Sequence, residues 1–84
     1  MYKVYVLKSE IAKKSYVGMT RDLEKRILEH NSGKSEFTSH FMPWKIIHVE
    51  EYSSEAEAVA REKYLKSASG RRKVMKKLFA NLAD

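Results

Sequence analysis

Three clusters hold residue types that could do chemistry and that ordinary packing does not require. The first is Tyr5, Tyr16 and Gly18. If Tyr5 faces Gly18 across a hairpin, Tyr16 faces Leu7, and Tyr5, Tyr16 and Gly18 share one face, because strand side chains alternate with period two. Two phenols then flank a residue with no side chain, and glycine weakens a strand unless something must approach the backbone there. That chemistry would be a pocket floor with two hydroxyls; the alternative is a pair of tyrosines packing a sheet face. The second cluster is Arg26 and His30. Leu23, Ile27 and His30 follow the i, i+4, i+7 spacing of a core-facing helical stripe, and Arg26 lies along the same edge. A guanidinium and an imidazole aimed together at the sheet would make a phosphate clamp, since arginine's planar fork matches phosphate oxygens. The alternative is a solvated helix flank with Arg26 paired to Asp22 or Glu29. The third is Glu62, between Ala58 and Leu65 on another such stripe. A carboxylate there needs a cation, a metal or water, because burying it unpaired is costly. Mg²⁺ is often held by one or two carboxylates plus substrate phosphates; the alternative is an i, i+4 ion pair with Lys66.

Basic residues are segregated around these clusters. Arg61, Lys63, Lys66, Arg71, Arg72, Lys73, Lys76 and Lys77 crowd the C-terminal part of the chain, and the formal net charge is +6. A balance this basic favours a polyanionic partner, nucleic acid above all; the alternative is a charged, solvated helix face. A helix start after Ser69-Gly70 would offer backbone amides beside Arg71 and Arg72 as a phosphate seat. The segment from Lys34 to Phe41 adds Lys34 and His40, with Phe37 and Phe41 available for base stacking. Phe37, Phe41 and Trp44 could instead anchor the core. The candidate nucleic-acid contacts are therefore Lys34, His40, Lys66, Arg71, Arg72 and Lys73.

Positioning these residues requires a small set of elements. Residues 2–8 alternate as a strand, residues 10–14 are turn-like, and residues 15–19 read as a second strand, which predicts an antiparallel hairpin. Thr20 is the expected N-cap of a first helix that stops at Asn31-Ser32-Gly33. Residues 33–43 read as a polar loop and residues 44–52 as a third strand. Ser54 and Glu57 form a capping box that opens a second helix, expected to run to about Ser67 or Ala68 and to be broken by Ser69-Gly70. Arg71 to Leu82 reads as a last helix with the stripe Val74, Leu78, Leu82. The order β-β-α-β-α-α predicts an α+β fold with a small, three-stranded, mainly antiparallel sheet flanked by helices.

Composition excludes several classes. At 84 residues the chain is expected to form a single domain, residues 1–84. It has no cysteine, which removes disulfides and any cysteine-based metal site. Its three histidines show no close metal-ligand pairing. The N-terminus is interrupted by lysines too early for a signal sequence, and no apolar run approaches a membrane span. A cytoplasmic location, no membrane partner, and a monomer or weak oligomer are expected.

Taken in order, Val4-Tyr5-Val6, Tyr16-Val17-Gly18, Arg26 with His30-Asn31 in one helix, and Glu62 in a later helix resemble the GIY-YIG nuclease superfamily. Its members include group I intron homing endonucleases and the nuclease domain of bacterial excision repair. The segments Thr38 to Trp44 and Ala60 to Lys66 resemble the small stand-alone bacterial members. The chain departs from the eponymous tripeptides in having Val4 for the first glycine and valines for both isoleucines. Larger members carry an asparagine after the metal glutamate, for which Asn81 is the one candidate here. The resemblance implies endonucleolytic hydrolysis of phosphodiesters with one divalent metal, Mg²⁺ or Mn²⁺, and a role in DNA repair or processing. It further implies that Glu62 holds the metal, Tyr5 activates the attacking water, Tyr16 orients it or shares that role, Arg26 neutralises charge on the phosphate, His30 positions water or a proton path, and Gly18 keeps the floor open. Two readings compete with it: a basic nucleic-acid-binding module without catalysis, and an interaction module using an exposed Val74, Leu78, Leu82 stripe.

Overall fold

Alternation of apolar and polar residues builds the sheet. In the computed structural model, which describes residues 1–80, β1 (Tyr2–Ser9) pairs antiparallel with β2 (Ser15–Thr20). The register sets Tyr5 opposite Gly18 and Leu7 opposite Tyr16, as the alternation requires. β3 (Trp44–Tyr52) pairs antiparallel with the other edge of β1, giving the order β2-β1-β3 with an irregularity between Val6 and Leu7. The expected α+β class and three-stranded antiparallel sheet are both present.

β1 is buried on both sides because helices cover both faces of the sheet. One face packs Val4, Val6 and Val17 with Ala58 and Leu65 of α3 (Glu55–Lys66) and with Met75. The other packs Tyr5, Leu7 and Trp44 with Leu23 and Ile27 of α1 (Leu23–Asn31). Asn31 pins the end of α1 to the start of β3: its side chain accepts from Trp44 N at 2.6 Å and donates to Trp44 O at 3.2 Å.

Three local expectations need correction. Thr20 ends β2 and does not cap α1; Asp22 does, its carboxylate accepting from Lys25 N at 3.1 Å while Thr20 Oγ1 accepts from Asp22 N. The segment expected to be loop contains a short helix, α2 (Glu36–Ser39). α3 ends at Lys66, beside the expected end at Ser67 or Ala68, but the break lies at Ser67 itself and not at Ser69-Gly70. Ser67 is extended (φ −76°, ψ 165°), and its hydroxyl accepts from Gly70 N at 3.1 Å. Gly70 is itself helical; it is glycine because a Cβ would collide with the Tyr64 carbonyl at the end of α3. From Ser67 onward, α4 (Ala68–Gly70), a π-helical turn (Arg71–Met75) and α5 (Lys76–Ala80) run on without interruption.

Val74 and Leu78 pack against the core, so they do not form the exposed stripe that an interaction helix would need. Leu82 and Asn81 lie outside the described residues. No helix among the described residues is long and apolar enough to cross a membrane.

Candidate functional site

The α1 face of the sheet contains a buried chain of polar groups. His30, the only buried residue of α1, has no exposed surface. Its Nε2 lies 2.9 Å from the Tyr5 hydroxyl and its Nδ1 lies 3.0 Å from Thr38 Oγ1. Thr38 directs its own hydroxyl hydrogen to Ser35 O at 3.4 Å, so its oxygen is left to accept from Nδ1–H. The arrangement that satisfies all three groups has Tyr5 donating to a bare His30 Nε2. Burial pushes the His30 pKa below its ordinary value, and the nearby Arg26 charge adds to this, while Glu29 works weakly against it. Burial likewise pushes Tyr5 up to about 12, although the nearby Arg26 guanidinium pulls the other way. Both groups are thus held neutral at pH 7.

Tyr5 is 1% exposed and lies at the bottom of the cluster, whereas Tyr16 is half-buried at its rim. The Tyr16 ring stacks at a tilt on His30, 4.7 Å between centroids, and sits 6.3 Å from the Tyr5 ring. Gly18 closes the floor rather than keeping it open. A Cβ there would overlap the Tyr5 hydroxyl and stand 2.9 Å from Tyr16 Cε2, so the space that glycine vacates is taken by the phenol.

Charged groups approach from two helices. Arg26 Nη1 bonds Glu29 Oε1 at 2.9 Å, one of the two pairings weighed for it, and Glu29 raises its pKa. The nearby Tyr5 and Tyr16 hydroxyls raise it further. Glu62 comes from α3, and its charge contributes to the upward push on Tyr5. Its carboxylate accepts from Lys66 Nζ at 3.2 Å, so the i, i+4 pair is also present. Lys66 Nζ in turn lies 5.9 Å from the Tyr16 ring centre. Tyr5, Tyr16, Arg26 and His30 therefore gather in one region, with the Glu62–Lys66 pair on the side of Tyr16, although the five residues span 58 positions of sequence (62 − 5 + 1).

The candidate nucleic-acid contacts divide. Lys66 and Arg71 line a groove of about 660 Å³ together with Tyr16, Lys13, Lys14 and Lys76. Arg72 and Lys73 are exposed but do not line it. Lys34 lies in a separate hollow beside Leu28, Glu29 and Ser32, and His40 sits edge-on to Phe41 outside the groove. The phosphate seat expected before Arg71 is filled, because Arg71 N donates to Ser67 O at 3.0 Å. Sequence reasoning missed Lys13 and Lys14, which reach the groove only through the hairpin turn. It also missed Thr38, which nothing local distinguishes from any loop threonine.

A family model described as the GIY-YIG catalytic domain matches residues 1–77. This chain belongs to the GIY-YIG family. Its relatives include a UPF0213 protein of Syntrophus aciditrophicus, 39% identical over 72 residues that cover 82% of this chain and 83% of the relative. A UPF0213 protein of Clostridium perfringens is 36% identical over 75 residues, covering 88% and 80%. The solution NMR structure of a UPF0213 protein from Bacillus halodurans superposes with a TM-score of 0.55 at 28% identity, over 90% of this chain and 84% of that one. GIY-YIG nucleases act on nucleic acid and are generally dependent on a divalent metal. In this GIY-YIG chain no three His, Asp or Glu side chains gather as a metal cage among the described residues. A half-buried carboxylate with a single lysine partner fits a cation that completes its shell with water and substrate phosphate oxygens.

Proposed function

We propose that this chain is a metal-dependent endonuclease that hydrolyses phosphodiester bonds in DNA, in repair or processing, with Tyr5, Tyr16, Arg26, His30 and Glu62 as its site and Gly18 beneath it. The observation that supports this most is the Tyr5–His30–Thr38 chain of hydrogen bonds, buried under an arginine and approached by a lone carboxylate. A phenol held near pKa 12 supplies almost no phenolate at pH 7, so Tyr5 needs a partner to act as a base. His30 is that partner. As the attacking water gives its proton to Tyr5 Oη, the Tyr5 proton passes to His30 Nε2, and Thr38 keeps the ring oriented through Nδ1–H. The P–O bond to water forms, the P–O bond to the leaving oxygen breaks, and solvent reprotonates that oxygen. The lowered pKa of His30 returns its proton readily for the next turnover.

Tyr16, at the rim, orients the water above Tyr5. Arg26 keeps its charge and neutralises the equatorial oxygens of the pentacoordinate phosphate. Glu62 would hold Mg²⁺ or Mn²⁺, which when bound supplies Lewis-acid stabilisation of the phosphate and of the leaving oxygen. The test is incubation of the purified chain with supercoiled plasmid, branched DNA and single strands, with Mg²⁺ or with EDTA. Cleavage is expected only with metal and is expected to vanish in Glu62→Ala. Nicking that survives Glu62→Ala or EDTA contradicts this mechanism.

A second reading, a basic binding module without turnover, is favoured by the partners that Arg26 and Glu62 already have in Glu29 and Lys66. It predicts nucleic-acid binding that weakens steeply with salt, with a slope of about −0.9 per duplex phosphate neutralised, and no metal-dependent cut. In that case Glu62→Ala would leave binding intact and there would be no turnover to lose.

A further inference from the structure

One aromatic side chain is not accounted for by the core. Trp44 is 4% exposed and donates from Nε1 to Thr38 O at 2.7 Å, and Phe41 packs against it. Phe37, beside them on α2, is left 48% exposed. Its ring is nevertheless backed by others: Phe41 at 5.5 Å, Tyr16 at 6.2 Å and Trp44 at 6.4 Å between centroids. The turn that presents it is fixed, because Thr38, the next residue, is buried and bonded to both His30 and Trp44. A rigidly supported ring with an open side is a platform rather than a frayed core residue.

The surroundings state what the platform would take. Phe37 lines the same groove as Lys13, Lys14, Lys66, Arg71 and Lys76, and that lining includes five cations and no carboxylate. A row of cations with an aromatic ring set among them is the chemistry that tracks an unpaired nucleic-acid strand, phosphates on the cations and a base on the ring. A base inside a duplex has both faces covered by its neighbours and cannot stack on a ring set into a groove. The groove is also lined by Tyr16, whose ring lies against the buried His30 and Tyr5 cluster.

We propose that Phe37 is a base-stacking subsite and that the groove beside it takes an unpaired strand of DNA or RNA, one nucleobase resting on Phe37 and the neighbouring phosphates running along Lys13, Lys14, Lys66, Arg71 and Lys76. The direction of the strand toward Tyr16 rests on the nuclease reading; the stacking itself does not.

Fluorescence anisotropy in EDTA tests this without any cleavage. The probes are a labelled 12-mer single strand in deoxyribose and ribose forms, the same strand with abasic residues, and the matching blunt duplex. The full chain should bind a single strand at least tenfold more tightly than the duplex. Phe37→Ala should weaken that binding by about 5- to 100-fold, the factor that base stacking on an aromatic contributes. Abasic and duplex binding should stay within about twofold, and Phe37→Trp should restore the loss. Phe37→Leu, which keeps the apolar bulk, should behave as Phe37→Ala, so a folding defect in the alanine variant leaves the test intact. A deoxyribose or a ribose strand that meets these ratios supports the proposal and identifies the sugar. Equal loss on abasic strands, duplex bound as tightly as single strand, or no loss in either variant overturns it. A chain that never cuts could still pass, and a working nuclease could still fail, so the two ideas separate.

Discussion

The two faces of the sheet each hold tyrosine, histidine, arginine and glutamate, and they use them in opposite ways. On the α3 face, Glu50 accepts from Arg61 Nε at 2.8 Å and Arg61 Nη2 at 3.0 Å, from His48 at 2.8 Å and from Tyr52 at 2.7 Å. Burial works to raise its pKa, but the bonds from Arg61, His48 and Tyr52 outweigh this and bring it down to about 2. Every donor there points at one anion, and the cluster rivets α3 to β3. On the α1 face no one carboxylate receives all the donors; Glu29 takes only a bond from Arg26. Tyr5 and His30 are kept neutral, linked by one transferable proton, and Arg26 stands over them with donor capacity to spare. The same residue types make a fastener where an anion satisfies them all, and make a candidate site where it does not.

Three substitutions and two titrations can break or sharpen that contrast. Arg26→Ala should lower kcat for cleavage by about 100- to 1,000-fold, the usual cost of removing a positioned charge donor. It should hardly move Tm, because its pair with Glu29 is partly exposed and such pairs contribute about 0–1 kcal/mol. Gly18→Ala drives a methyl into the Tyr5 hydroxyl and should cost about 1–3 kcal/mol of stability by denaturant titration, with cleavage lost as well. Glu50→Gln should cost about 2–3 kcal/mol at pH 7 and leave the activity of the folded molecules unchanged. Because the folded pKa of Glu50 is depressed, its contribution is present above the unfolded value and should be lost as pH falls from 4.5 toward 2. His30 gives the smallest effect. Its folded pKa is also lowered, so the unfolded chain binds the extra proton first. Stability should be full above 6.5 and decline below it, and cleavage should fall in the same direction as Nε2 becomes blocked. Denaturant midpoints and single-turnover rates between pH 5 and 8 check both.

Much of this was legible in sequence because it depends on period. Alternation with Gly18 placed the two tyrosines on one face, and helical spacing turned His30 and Leu65 inward. What could not be read depends on contacts between distant segments. Thr38 matters through a ring eight positions earlier, and Lys13 and Lys14 matter through a helix more than fifty positions later (71 − 14 = 57). Other misreadings came from neighbours with equal credentials. Thr20 and Asp22 are both good caps, and only the end of β2 decides between them. Gly70 looked like a helix stop but is glycine for lack of room beside Tyr64. Within the site, the chain of residues was legible, but which tyrosine lies deep and which lies at the rim was not, since both occupy the same face.

The contrast between the two clusters reduces to one paired experiment: single-turnover cleavage with Mg²⁺ at saturating substrate by wild type, Tyr5→Phe and Tyr52→Phe, alongside their Tm values. Removing the Tyr5 hydroxyl should lower the rate about 100-fold or more at a temperature where the variant is fully folded, with Tm lowered as well because the buried His30 Nε2 loses its donor, while removing the Tyr52 hydroxyl should lower Tm and leave the rate alone. A wild type that does not cut, or a Tyr5→Phe variant that cuts as fast as Tyr52→Phe, would contradict the account.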